Sequence, residues 1–207
     1  MKTKELIIIK SLELFAIRGF ESVSVRDIAK LVGVSESALY KHFKNKQDIF
    51  DTIIEEVSAR IDQIYAVLSV PEPTGATVVD AYDQINLESL IHISCNLFCF
   101  YVTDDVVARF RRMLNIEQYR NSEVAKKYKS YFIDRVLESQ TVLFGKFVAA
   151  GKFRKEDPYI IALHFYSPIY LLFQKYDLEP DKLEEAEEII KQHVISFSEF
   201  YDNRLKK

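Results

Sequence analysis

The stretch Ser24–Lys46, SVRDIAKLVGVSESALYKHFKNK, constrains the fold of this chain more than any other. Two short segments flank Gly33-Val34-Ser35. Ser24, with Asp27 three residues on, predicts an N-cap and an acidic first turn for a helix over Val25–Val32. Gly33 stops that helix, and Ser35 is placed to cap a further one over Glu36–Phe43. Two short helices joined by a three-residue turn containing glycine form the helix-turn-helix layout. Ile28, Ala29, Val34, Leu39 and Phe43 then share an inner face, closed by Phe15 and Phe20. A preceding helix over residues 4–18 follows from the stripe Ile8, Leu12, Phe15 and Ala16.

The rest of the chain is also expected to be helical. Only five glycines and five prolines punctuate 207 residues, so helices run long and turns are few. A fourth helix starts near Lys46 and carries Ile49, Ile53, Val57, Ile61, Ile64 and Leu68. Pro71–Gly75 reads as a loop. Helices follow over about 77–101, 104–118 and 122–150. Gly151–Pro158 is a break, with Asp157 and Pro158 as N-cap and first residue of the next helix. That helix reaches about Tyr176, with a kink expected near Pro168. The last runs from about Pro180 to Arg204, and no strand is expected. Ser89–Thr103 and Pro158–Gln174 lack charges. The first is too short for a membrane span, and His164, Ser167 and Pro168 interrupt the second, so both read as buried helices of a cytoplasmic protein.

Charge separates a head from a body. Residues 1–47 hold nine Lys/Arg against five Asp/Glu, and the remainder holds 19 against 26. A basic head on an acidic body suggests that the head meets a polyanion. Glu36, Ser37, Ala38, Tyr40, Lys41 and His42 point outward from the third helix. Small and hydrogen-bonding groups followed by cations suit a helix entering the major groove. Lys46 adds a cation beside a helix N-terminus.

The run GFESVSVRDIAKLVGVSESALYKHFKNKQDIF, Gly19–Phe50, resembles the tetracycline-repressor (TetR) family, most specifically in LYKHFKNK at Leu39–Lys46. The resemblance implies an all-α fold. A three-helix DNA-binding domain (1–47) would precede a helical effector-binding and dimerisation domain (48–207). It also implies a two-fold dimer and a palindromic double-stranded DNA operator. Carried over by position, Ser24, Arg26, Tyr40 and Lys46 would contact phosphates. Glu36, Ser37, Ala38, Lys41 and His42 would face base edges or flanking phosphates. Glu36 sits awkwardly near phosphates but can accept from cytosine N4.

The family's bodies enclose an apolar pocket, which here implies an apolar or aromatic effector touching His92, Cys95, Phe98, Phe110, Tyr128, Phe132 and Phe144. Asn96 and Gln140 are further polar candidates, because pockets are apolar with a few polar groups. His92, Cys95 and Cys99 share one helix face, but one helix supplies too few ligands for a metal. No metal or cofactor is expected, and the cysteines read as buried and inert. Leu183, Ala186, Ile190, Val194, Phe197 and Tyr201 form a seam on the last helix. Phe165, Ile169, Leu172 and Phe173 face it, and the two helices are expected to make the dimer interface. Glycine-rich phosphate loops, GxSxG and paired metal-ligand motifs are missing from the sequence, so no enzyme activity is expected. The competing reading is an interaction protein of the same fold that acts through a protein partner. A repressor released by a small effector fits the outward third helix better.

Overall fold

Capping residues and apolar stripes divide the chain into helices much as their spacing predicts. The structure, a computed structural model, describes residues 2–67 and 87–203, excepting the side chains of 64–67. The loop expected at 71–75, the start of the helix expected over 77–101, and Arg204 lie outside the described residues. The helices are α1 (Thr3–Arg18), α2 (Val25–Val32), α3 (Glu36–Leu39), α4 (Lys46–Val67), α5 (Leu87–Thr103), α6 (Asp105–Glu117), α7 (Ser122–Lys129), α8 (Arg135–Ala149), α9 (Pro158–Lys175) and α10 (Leu183–Tyr201). A π-helical segment, Ser130–Asp134, joins α7 to α8, and a 3₁₀ turn, Pro180–Lys182, leads into α10. No single helix among the described residues is long and apolar enough to cross a membrane.

Contacts gather the chain into two compact units, Met1–Ile64 with Asp104–Lys129, and Tyr65–Thr103 with Ser130–Lys207. In the first, α1 packs on α2 and on α6. Ile7, Leu12 and Phe15 of α1 are buried, as are Ile28, Leu39, Ile49 and Ile53 from the following helices. From α6 come Val107, Phe110, Met113 and Leu114. Position 47 falls inside α4, and α6 and α7 share the unit of the head.

In the second unit α9 lies along α8 and α10, and α10 also packs on α5. Asp157 caps α9 by accepting the Tyr159 N–H at 2.8 Å, with Pro158 in the first turn. The helix continues through Pro168 to Lys175. The end of α10 is pinned to the Gly151 break. Arg154 N–H donates to Tyr201 O, Asn203 N–H donates to Lys152 O, and Phe153 forms an isolated antiparallel bridge with Asp202.

Three expectations need correction. The third helix is shorter than Glu36–Phe43. After Leu39 the chain tightens into turns, with Lys41 N–H on Ala38 O and His42 N–H on Leu39 O. The cause is the next helix. Asn45 accepts the Asp48 N–H at 2.8 Å, and Asp48 accepts the Lys44 N–H at 2.7 Å, so the backbone must leave α3 to start α4. The helix expected over 122–150 contains the π segment, whose Phe132 carbonyl accepts from the Tyr166 hydroxyl at 2.6 Å. Finally, Ala186, Ile190, Val194, Phe197 and Tyr201 are buried within the chain, along with Phe165, Ile169, Leu172 and Phe173. That seam is the core of the second unit, already covered by α5 and α9.

Candidate nucleic-acid interface

Ser24 caps α2 with a reciprocal pair. Its hydroxyl accepts the Asp27 N–H at 3.1 Å, and Asp27 accepts the Ser24 N–H at 2.9 Å. The hydroxyl also donates to Asp27 Oδ2 at 2.7 Å, which engages its only proton. Those Ser24 bonds, main-chain first, hold the Asp27 carboxyl below its ordinary range, and Arg18 and Lys30 add to the shift. Gly33 takes a left-handed φ of 80°, a conformation that costs a side-chain-bearing residue, and turns the chain towards Ser35. Ser35 then accepts the Ala38 N–H at 3.1 Å and opens α3.

This local chemistry sets the outward face. Leu39 and Phe43 are buried, whereas Glu36, Ser37, Tyr40, Lys41 and His42 are exposed and Ala38 is half-buried. Tyr40 keeps 51% of its surface open. Arg26 is exposed on α2. Lys46 differs from these. Its ammonium donates to Phe20 O at 2.8 Å and sits 4.1 Å from the centre of the Phe20 ring. The nine expected contact residues thus fall within one short stretch of the first unit, seven of them exposed.

The expected effector residues are more scattered. Phe110 and Tyr128 are buried in the first unit; Phe98, Phe132 and Phe144 are buried in the second. Phe98 stacks on Phe173, and Tyr101 bridges Phe173 to Phe132. Phe144 belongs to another cluster, with Phe153, Phe165 and Phe197. His92 is exposed, 4.0 Å from Glu88. Cys95 and Cys99 face α10, where the Cys99 thiol donates to Glu187 Oε1 at 2.8 Å. Burial, then the Glu187 carboxylate, pushes Cys99 up to about 12, and Cys95 is raised for the same two reasons. Gln140 Oε1 is buried with no hydrogen-bond partner among the described residues. A separate depression of about 240 Å³ is lined by Ile8, Ile9, Leu12, Val57 and Val106, with Glu5, Glu56 and Arg60 at its polar edge.

Two residues escaped the sequence reading. Asn45 was legible, since Asn three residues before Asp is a capping pattern. Glu117 was not. This buried carboxylate accepts the Phe20 N–H from 97 positions away, a pairing that no local pattern announces.

A capped helix-turn-helix with a polar, cation-bearing outer face is the layout of domains that enter the DNA major groove. Residues 7–53 match the profile of bacterial regulatory proteins, tetR family. The chain is 28% identical over 142 residues to the HTH-type transcriptional regulator AcrR of Shigella flexneri, covering 61% of this chain and 64% of AcrR. It therefore spans slightly less than two thirds of that relative's length. A TetR-family regulator from Mesorhizobium loti superimposes with a TM-score of 0.68 at 18% identity, over 97% of this chain and 96% of that one. SmeT in complex with triclosan gives 0.66 at 18% identity, over 98% and 93%. SmeT is the repressor of the Stenotrophomonas maltophilia efflux pump SmeDEF. The head thus matches the DNA-binding domain of the tetR family, and the chain as a whole has the fold of the TetR-family regulators it superimposes on.

Proposed function

We propose that this chain is a dimeric repressor that holds a palindromic operator through α3 and the turn after it, and is released by a small apolar or aromatic effector. The observation that carries the reading is the split across α3. Leu39 and Phe43 lock the element to the head, while Glu36, Ser37, Tyr40, Lys41 and His42 are left to solvent. Arg26 and Lys41 have the charge for phosphates, and Tyr40 a hydroxyl. Ser24 reaches a phosphate only by giving up its bond to Asp27, and Lys46 only by using protons not held by Phe20.

The effector site is proposed within the second unit, around Phe98, Cys95 and Phe132, with Phe144 and His92 as further contacts. The aromatic cluster of Phe98, Phe173, Tyr101 and Phe132 supports an aromatic ligand. SmeT, solved with triclosan, is a repressor of the same fold that takes such a molecule. The effector must favour the arrangement that does not fit DNA, since equal affinity for both shifts nothing.

Selection from a random duplex pool tests the DNA reading. A two-fold symmetric site should emerge, with half-sites separated by about 34 Å or a multiple of it. Tyr40→Ala should weaken binding to that site by about 1–3 kcal/mol without lowering the melting temperature. Recovery of no preferred sequence defeats the proposal. Triclosan serves as the effector probe. If it binds, it should weaken operator binding, and operator should weaken its binding by the same factor.

A further inference from the structure

The corner between α1 and α2 is gripped from both sides. Gly19 closes α1 with its N–H on Phe15 O at 3.0 Å and takes φ 75° and ψ 160°. The next residue, Phe20, has both main-chain polar groups bound by charged side chains. Its N–H donates to Glu117 Oε1 at 2.7 Å, and its carbonyl accepts from Lys46 Nζ at 2.8 Å. Its ring lies under the Lys46 ammonium and packs against Phe15 and Phe50. Glu117 itself is 3% exposed at the last turn of α6, with Arg120 at 3.9 Å as its charged partner. Buried carboxylates are costly unless donors surround them, so this one holds its donors firmly. The fit at Gly19 is equally close, because a Cβ there would lie 2.8 Å from Glu117 Oε1.

We propose that Glu117 is a positioning residue for DNA binding, a direct tie from α6 to the turn that precedes the Ser24–Lys46 reading head. It rests on the proposed DNA-binding role of that head. Lys46 completes the clamp and is also the first residue of α4, so besides the packing of α1 on α6, side chains from α6 and α4 meet at one residue of the turn, Phe20. Phe110, an expected effector contact, lies seven residues before Glu117 on α6, about 10 Å along the axis. A shift of α6 along its axis reaches Phe20 through one hydrogen bond, with no need to pass through α4.

The test compares Glu117→Gln, which keeps an oxygen acceptor, with Glu117→Leu, which removes it. Amide exchange is read at Phe20 and, as a control inside the same head, at Leu39. Glu117→Leu should speed Phe20 exchange relative to Leu39 by about tenfold or more, as expected on losing a hydrogen bond to a charged group. It should weaken binding to the selected duplex by about tenfold, with Glu117→Gln restoring most of both effects. Equal acceleration at Phe20 and Leu39 would mean a purely structural role and would overturn the proposal. So would equal loss of duplex binding in the two variants, or wild-type protection of Phe20 in Glu117→Leu. If the wild-type chain selects no duplex, the DNA-binding reading fails, and the tie is then decided on Phe20 exchange alone.

Discussion

At the scale of single residues, two glycines with similar φ are held by different physics. Gly33 has φ 80°, and a Cβ added there would meet nothing within 4 Å, so only backbone strain opposes a side chain. Gly33→Ala should cost about 1 kcal/mol. Gly19 combines φ 75° with a Glu117 oxygen 2.8 Å from the Cβ position, and that oxygen is tied to Phe20. Gly19→Ala should cost about 3 kcal/mol or more, adding the displaced hydrogen bond to the backbone strain. Urea midpoints decide it; equal losses in the two variants would mean that the approach of Glu117 does not matter. Cys99 illustrates a second residue-scale effect. The thiolate is the reactive form, and a thiol held at about 12 is almost wholly protonated at pH 8. Iodoacetamide should therefore label Cys99 more slowly than a free thiol. Glu187→Gln, which removes the facing charge, should speed the labelling. An unchanged rate would remove that charge from the account.

Among the elements, what could be read in advance was what is local. Ser24 with Asp27, Gly33, Ser35 and Asp157 with Pro158 each act within four residues, and each sits where its chemistry places it. The π segment was not legible, because its carbonyl at Phe132 is satisfied by Tyr166, 34 positions on. Tyr166→Phe deletes that donor and should destabilise the chain by about 1 kcal/mol, with the loss seen in thermal melting. A variant as stable as the parent would mean that the segment needs no outside donor. The α2 cap carries its own pH dependence. Asp27 has a folded pKa below its ordinary value, so its contribution is full above the usual carboxylate range, near ~3.9, and is lost as pH falls through the lowered value. Ser24→Ala removes the cap at a cost of about 1 kcal/mol at neutral pH. The gap between variant and parent should narrow as the pH is taken below 4. A gap that stays constant would place the stabilisation elsewhere than in the Ser24–Asp27 pair.

For the whole molecule, burial decides which surface is left for the proposed second copy. Periodicity identified the apolar stripe of α10 correctly as something to be buried, but periodicity does not name the neighbour. The neighbours are α5 and α9 of the same chain, so charges at Ile190 or Phe197 would unfold the second unit rather than separate two protomers. What α9 leaves outside is a different row. Ile160, His164, Ser167, Leu171 and Gln174 are all exposed, step by four and three, and carry no carboxylate, lysine or arginine. Leu171 is 63% exposed. On α10, Ile189, Gln192, Ser196 and Phe200 form a second exposed row without those charges, and Phe200 is 52% exposed. Charged residues are depleted at interface cores, and aromatic residues are enriched there. A dimer through the last two helices is therefore expected to use these rows, each meeting its own symmetry mate. Leu171→Arg places a charge in the middle of the α9 row without touching the buried stripe. It should give a folded monomer by light scattering, with an unchanged helical circular dichroism spectrum. Because a palindromic site needs two heads, that monomer should also bind the selected duplex far more weakly than a half-site mutation alone would explain. A stable Leu171→Arg dimer would show that the two-fold contact lies off this face of α9.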